Sequence, residues 1–128
     1  MVTVSLSKKD IEAIDTLKQV GIPKNEGKIL GYLFKVDDAF ARDIERAVNL
    51  RQPEVSAAAK TLLERNLIKG TNIKSEGKGR PLIKYSLARS KGDTVKSINK
   101  LFSDGIHKLE NDMEKFNTVF GAGQSESE

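Results

Sequence analysis

Apolar residues recur at helical spacing over most of this chain and alternate in one short region. Ile11, Ile14, Leu17 and Val20 fall three apart after Ser7, with Asp10 three residues beyond that serine. This spacing predicts a capped helix over about 8–20 that stops at Gly21. Pro23 suits the first turn of a second helix, whose inward stripe of Ile29, Leu30, Leu33 and Phe34 ends near Lys35. Asp37 and Asp38 stand where they can cap a third helix over 41–48, with Ala41, Ile44, Ala47 and Val48 inward. Asn49 and Leu50 break that pattern as a left-handed residue followed by a buried one. A fourth helix opens at Pro53, after Gln52, and turns Val55, Ala58, Ala59, Leu62 and Leu63 inward up to Asn66.

The period then changes. Residues 67–74 and 82–88 read as strands, and in the second Ile83, Tyr85 and Leu87 alternate with Lys84 and Ser86, giving one buried and one wet face. Between them lies the turn-rich stretch Ser75, Glu76, Gly77, Lys78, Gly79, Arg80 and Pro81, so the pair is a hairpin with a basic, glycine-rich tip. From 91 to about 120 there is no proline, and Val95, Ile98, Phe102, Ile106, Leu109, Met113, Phe116 and Phe120 form a near-heptad seam with one extra residue near Gly105. A helix of that length, about 45 Å at 1.5 Å per residue, protrudes beyond a small domain. The polar, small residues after 120 are expected to be disordered.

Composition narrows the chemistry. At 128 residues the chain is one domain plus an appended element, with division at 1–90, 91–120 and 121–128. It has no cysteine and one histidine, which excludes disulfides, thiolate catalysis and a multi-histidine metal centre within one chain. Asp104 and His107 supply two ligands at most, enough for a four-ligand site only across a dimer; a histidine on a polar helix face is ordinarily just solvated, and no cofactor or metal is expected. Phosphate-loop, dinucleotide and nucleophile-elbow patterns are absent and no carboxylate pair is spaced for acid–base work, so an enzyme is not expected. The start lacks the apolar core of a signal peptide and no apolar run approaches a membrane span, which predicts a cytoplasmic, nucleoid-associated protein.

The net charge of +4 is unevenly placed. Residues 1–50 carry eight basic and eight acidic side chains, 51–91 carry ten basic against three acidic, and 92–128 carry four against seven. The polyanion-facing surface is therefore expected on the fourth helix and the hairpin.

Three helices, a three- to four-residue turn, a fourth helix and a basic hairpin make the order of a winged helix-turn-helix, mainly α with a small β-hairpin, to which the long C-terminal helix adds a dimerisation arm. The segment from Leu50 through Arg51, Gln52, Pro53, Glu54, Val55 and Ser56, followed by Leu62 to Ile68, resembles the recognition-helix region of the ArsR, TrmB and MarR-like prokaryotic regulators, archaeal ones especially. The resemblance implies a transcriptional regulator that binds double-stranded DNA, with Arg51, Gln52, Glu54 and Ser56 entering the major groove and Lys60 and Arg65 on backbone phosphates. Arg51 suits guanine, Gln52 adenine and Glu54 a cytosine amino group. Alanine at 58, where a histidine is common in the ArsR pattern, and the absent cysteines argue against metal sensing. At the hairpin tip Lys78, Gly79, Arg80 and Pro81 suit a narrow minor groove and look like the core of an AT-hook, with Lys74 and Lys84 on the flanking strands. The C-terminal stripe either folds back on the domain as ordinary core or pairs with the same helix of a second copy; its length and regular spacing favour pairing, which predicts a homodimer on a pseudo-palindromic site. Two rival readings share the fold: a protein-interaction module of a transcription assembly, and a broad-specificity DNA-coating protein.

Overall fold

The computed structural model describes residues 5–73 and 82–121. Helix α1 (Lys8–Asp15) begins on a capping box, in which Ser7 Oγ accepts from the Asp10 amide at 3.1 Å and Asp10 accepts from the Ser7 amide at 2.7 Å. It tightens into a 3₁₀ turn at Thr16–Val20 and stops at Gly21, whose φ of 84° is left-handed. Helix α2 (Lys24–Lys35) follows from Pro23, and α3 (Ala41–Val48) and α4 (Gln52–Glu64) complete the helical body. Asn49 and Asn66, at φ 56° and 62°, close α3 and α4 in the same left-handed manner. The Leu50 amide reaches back to the Glu45 carbonyl and that of Leu67 to the Leu62 carbonyl, both at 3.1 Å, which satisfies carbonyls a helix end leaves free.

The cap of α3 differs from the sequence expectation. Asp37 and Asp38 lie outside, and the carboxylate of Asp43, three residues in, accepts from the Phe40 amide at 3.2 Å. Asp37 and Asp38 are displaced from the cap because Ala39 and Phe40 form a strand, β1, that the sequence did not signal. With β2 (Ile68–Ile73) and β3 (Leu82–Leu87) it makes an antiparallel sheet ordered β1-β3-β2, with Ala39 opposite Tyr85 and Ile68 opposite Leu87. The hairpin is thus stitched to the chain just ahead of α3.

One core serves every element. Ile22, Ile29, Leu30, Leu33, Ile44, Val55 and Leu62 are fully enclosed, and Tyr85 brings β3 against them. Two inward assignments fail. Leu63 is 38% exposed because it lies off the Val55, Ala58, Ala59 and Leu62 stripe, and Ile83 is 41% exposed, as are its strand neighbours Ile73 and Leu82 at 36% and 39%. Gly27 and Gly31 let α1 lie close on α2, since a Cβ at either position would come within 2.7–2.8 Å of the Ile14 side chain.

Helix α5 (Lys91–Phe116) starts at the Ser90 cap, whose Oγ accepts from the Asp93 amide at 3.1 Å, and passes into a π-turn at Asn117–Gly121. Its 26 residues span about 39 Å. The helix has two halves. Ile98, Leu101 and Phe102 pack on the core of their own domain. Beyond them Ile106, Leu109, Met113, Phe116, Val119 and Phe120 stand 56–69% exposed.

Candidate nucleic-acid interface

Helix α4 is fixed from beneath. Val55, Ala58, Ala59 and Leu62 are buried at the 3–4 spacing of one helix face, which turns Pro53, Ser56, Ala57, Lys60 and Glu64 outward. Arg51, Gln52, Ser56 and Lys60 are all exposed. The N-terminal turn carries free backbone amides and the positive end of the helix dipole, so this end of the face suits an anion. Ala57, in the middle of the outward row, was not singled out from sequence. It sits in an alanine run with two buried neighbours, and only the burial of Ala58 and Ala59 shows that its methyl points the other way.

Several charged side chains are already engaged. The Glu54 carboxylate accepts from the Arg51 amide at 2.8 Å and so fixes the entry of α4, an occupation that competes with the cytosine contact the sequence suggests. Arg65, the other phosphate candidate at the end of this helix, is exposed and also engaged within its own domain. Its Nη2 donates to the Gly21 carbonyl at 2.6 Å and its Nε lies 3.4 Å from Glu26 Oε1, tying the end of α4 to the start of α2. Lys84 lies mid-strand in β3, opposite Thr71, 3.8 Å from Asp38 and with its ammonium 5.5 Å from the centre of the Phe40 ring. The remaining hairpin candidates, Lys74, Lys78, Gly79 and Arg80, lie outside the described residues. On α3, Arg42 and Arg46 are exposed one turn apart, and they were not among the candidates either, because the charge of their third of the chain cancels.

Glu26 is nearly enclosed, and desolvation raises its pKa above the ordinary glutamate value, opposed by the Arg65 guanidinium. A raised carboxylate pKa favours the protonated form in the fold, so its contribution is fully present below the unfolded value and is lost as pH rises through the folded one. Arg65→Ala is therefore expected to destabilise the protein by about 1–3 kcal/mol near neutral pH and by less near pH 4, where Glu26 needs no counter-charge. Urea unfolding at the two pH values checks this. DNA affinity per folded molecule is expected to stay within a factor of about two, because an arginine held against Glu26 and Gly21 contributes little of the 1.4 kcal/mol that a tenfold change requires.

The dimerisation candidates divide with α5. Val95, Ile106, Leu109, Met113, Phe116 and Phe120 are exposed, whereas Ile98 and Phe102 are half-buried against their own domain. His107 faces Glu110 at 3.4 Å and Asp104 faces Lys100 at 3.3 Å. Among the described residues no cluster of three or more His, Cys, Asp or Glu side chains is placed to hold a metal, and no helix is long and apolar enough to cross a membrane.

No family model matches the chain, and no curated protein matches it. Solved structures do. A possible transcriptional regulator from Methanosarcina mazei Go1 superposes with a TM-score of 0.65 at 14% identity, over 82% of this chain and 87% of that one. MepR, a transcription regulator of the Staphylococcus aureus multidrug efflux pump MepA, gives 0.52 at 21% identity, over 91% and 88%. The S. aureus MepR-DNA complex gives 0.51 at 21% identity, over 87% and 88%. The first of these is described as a possible regulator of transcription and MepR as a regulator of transcription. At such identities the likeness establishes the fold, a mainly helical winged helix with a three-stranded sheet and a long C-terminal helix.

Proposed function

We propose that the protein regulates transcription as a homodimer that reads a pseudo-palindromic site in double-stranded DNA. The observation that carries this reading is the outward face of α4, where Arg51, Gln52, Ser56 and Lys60 are exposed on a helix whose opposite face is locked into the core. A helix so mounted fits the major groove with its first turns at the base edges. Gln52 suits adenine, Arg51 guanine, and the Ala57 methyl suits that of thymine, while Lys60, Arg42 and Arg46 take phosphates. The basic tip with Lys78 and Arg80, flanked by Lys74, follows the adjacent minor groove. That a neighbour of the same fold, MepR, is found in complex with DNA supports the assignment.

The resemblance to the ArsR and TrmB groups agrees with this role and supplies no effector. Selection of bound sequences from a random duplex pool tests the proposal. A two-fold motif is expected, and in salt titration of the best site log affinity should fall against log salt with a slope of roughly −5 to −9, for three to five phosphates neutralised per subunit. No enrichment, with scrambled duplex competing equally, refutes sequence reading in favour of coating or of a protein-interaction role.

A further inference from the structure

Between α1, α2 and the start of α5 lies an apolar cleft of about 420 Å³, lined by Ile14, Gly27, Gly31 and Phe34, with Val95 and Ile98 contributed by α5. The Asp10 and Lys35 ion pair, 2.9 Å long, lies along it. Val95 and Ile98 are also the first two residues of the α5 stripe. The stripe reads alike from its two ends. When two copies of α5 are set antiparallel about a point between residues 107 and 108, Val95 faces Phe120, Phe102 faces Met113 and Ile106 faces Leu109, while Ile98 falls one residue out of register with Phe116.

We propose that a second copy of the chain lies antiparallel along α5 and that its Phe116 and Phe120 close this cleft. The inference rests on the homodimer reading above and adds the register and the place where the arm ends. Three observations support it. First, the two halves of α5 are complementary: Ile98, Leu101 and Phe102 are backed by their own domain, and the apolar residues from Ile106 onward stay exposed, with no core to pack on among the described residues. An antiparallel arrangement lays each free half along the backed half of the other copy. A parallel one stacks the free ends on each other, far from either domain, and leaves both clefts open. Second, the area is sufficient. Val95, Ile106, Leu109, Met113, Phe116, Val119 and Phe120 are 45–69% exposed, which amounts to on the order of 700 Å² per chain, against the roughly 800 Å² per partner of a stable interface. Third, Phe116 and Phe120 already lie together, ring centres 5.0 Å apart, as one apolar unit one helical turn long. Opposite Val95 and one residue out of register with Ile98, that unit arrives at the cleft's α5 side.

The chain has no cysteine, so introduced thiols are unique. Val95→Cys and Phe120→Cys, both at exposed positions, are prepared singly, mixed to exchange subunits and treated with a short bismaleimide; intact mass reads the products. Linked species containing one copy of each variant are expected, with little linkage when either variant is treated alone. Homotypic linkage of Phe120→Cys, or no linkage in the mixture, overturns the register. Sedimentation of the wild-type chain separates the two levels: a monomer at micromolar concentration overturns this inference together with the homodimer, whereas a dimer with homotypic links overturns the register alone. Fluorescence of 1-anilinonaphthalene-8-sulfonate tests the closure. The wild-type dimer is expected to bind little dye and Phe116→Ser/Phe120→Ser several-fold more. Strong binding to the wild-type dimer shows a cleft open to small apolar molecules and overturns the closure.

Discussion

Alanine at both Gln52 and Ser56 is expected to weaken binding to the selected site by on the order of 100-fold while changing affinity for scrambled duplex by less than about threefold. A well-placed side-chain contact to a base edge is worth about 1–3 kcal/mol of discrimination, and the proposed dimer would make each contact twice. Both side chains are exposed, so their loss leaves the core beneath α4 untouched. Lys60→Ala is expected to behave differently, weakening all sequences alike and reducing the salt slope by about 1 per half-site, since a phosphate contact carries no sequence information. Fluorescence anisotropy at fixed salt, with the two duplexes side by side, measures both effects. An equal loss on the scrambled duplex contradicts the assignment of Gln52 and Ser56 to base edges.

The largest stability effect is expected at Leu62. This side chain is fully enclosed at the centre of the buried face of α4, in the same core as Ile22, Ile29, Leu30 and Ile44. Removing its outer carbons leaves a void that close-packed helices cannot collapse into, at a cost of about 2–5 kcal/mol. For a chain of this size that corresponds to a fall in Tm of roughly 7–19 °C. Leu63→Ala, one residue along and 38% exposed, is expected to cost under about 1 kcal/mol. Calorimetry of the pair distinguishes the two faces directly, and comparable losses would show that α4 is seated differently from the structure described here.

Much of this fold is legible in local chemistry. The capping residue Ser7, the left-handed Asn49 and the helix-opening Pro53 each act within a few residues of themselves, and the first and fourth helices begin, and the third ends, where those signals stand. Features set by distant partners were not legible. Strand β1 is two residues long and owes its existence to Tyr85 and Lys84, some forty-five positions away. The engagement of Arg65 by Glu26 and Gly21 spans a similar distance, and an arginine just past the end of a helix carries no mark of being spoken for. The same limit hid Ala57 and the two halves of α5. Periodicity names a stripe, but only packing tells which part of it the domain already covers.

The seating of Ile98, Leu101 and Phe102 on the core has a consequence for spacing. The arm and the reading helix α4 share one packed body, so no flexible joint separates the surface that would meet a second copy from the surface that would meet DNA. In the proposed dimer the two reading helices then sit at a fixed rotational phase. Since B-DNA turns once in about 10–10.5 base pairs, adding a single base pair between half-sites rotates one of them by roughly a tenth of a turn away from its helix, a misalignment that a stiff strut passes on to the contacts instead of absorbing.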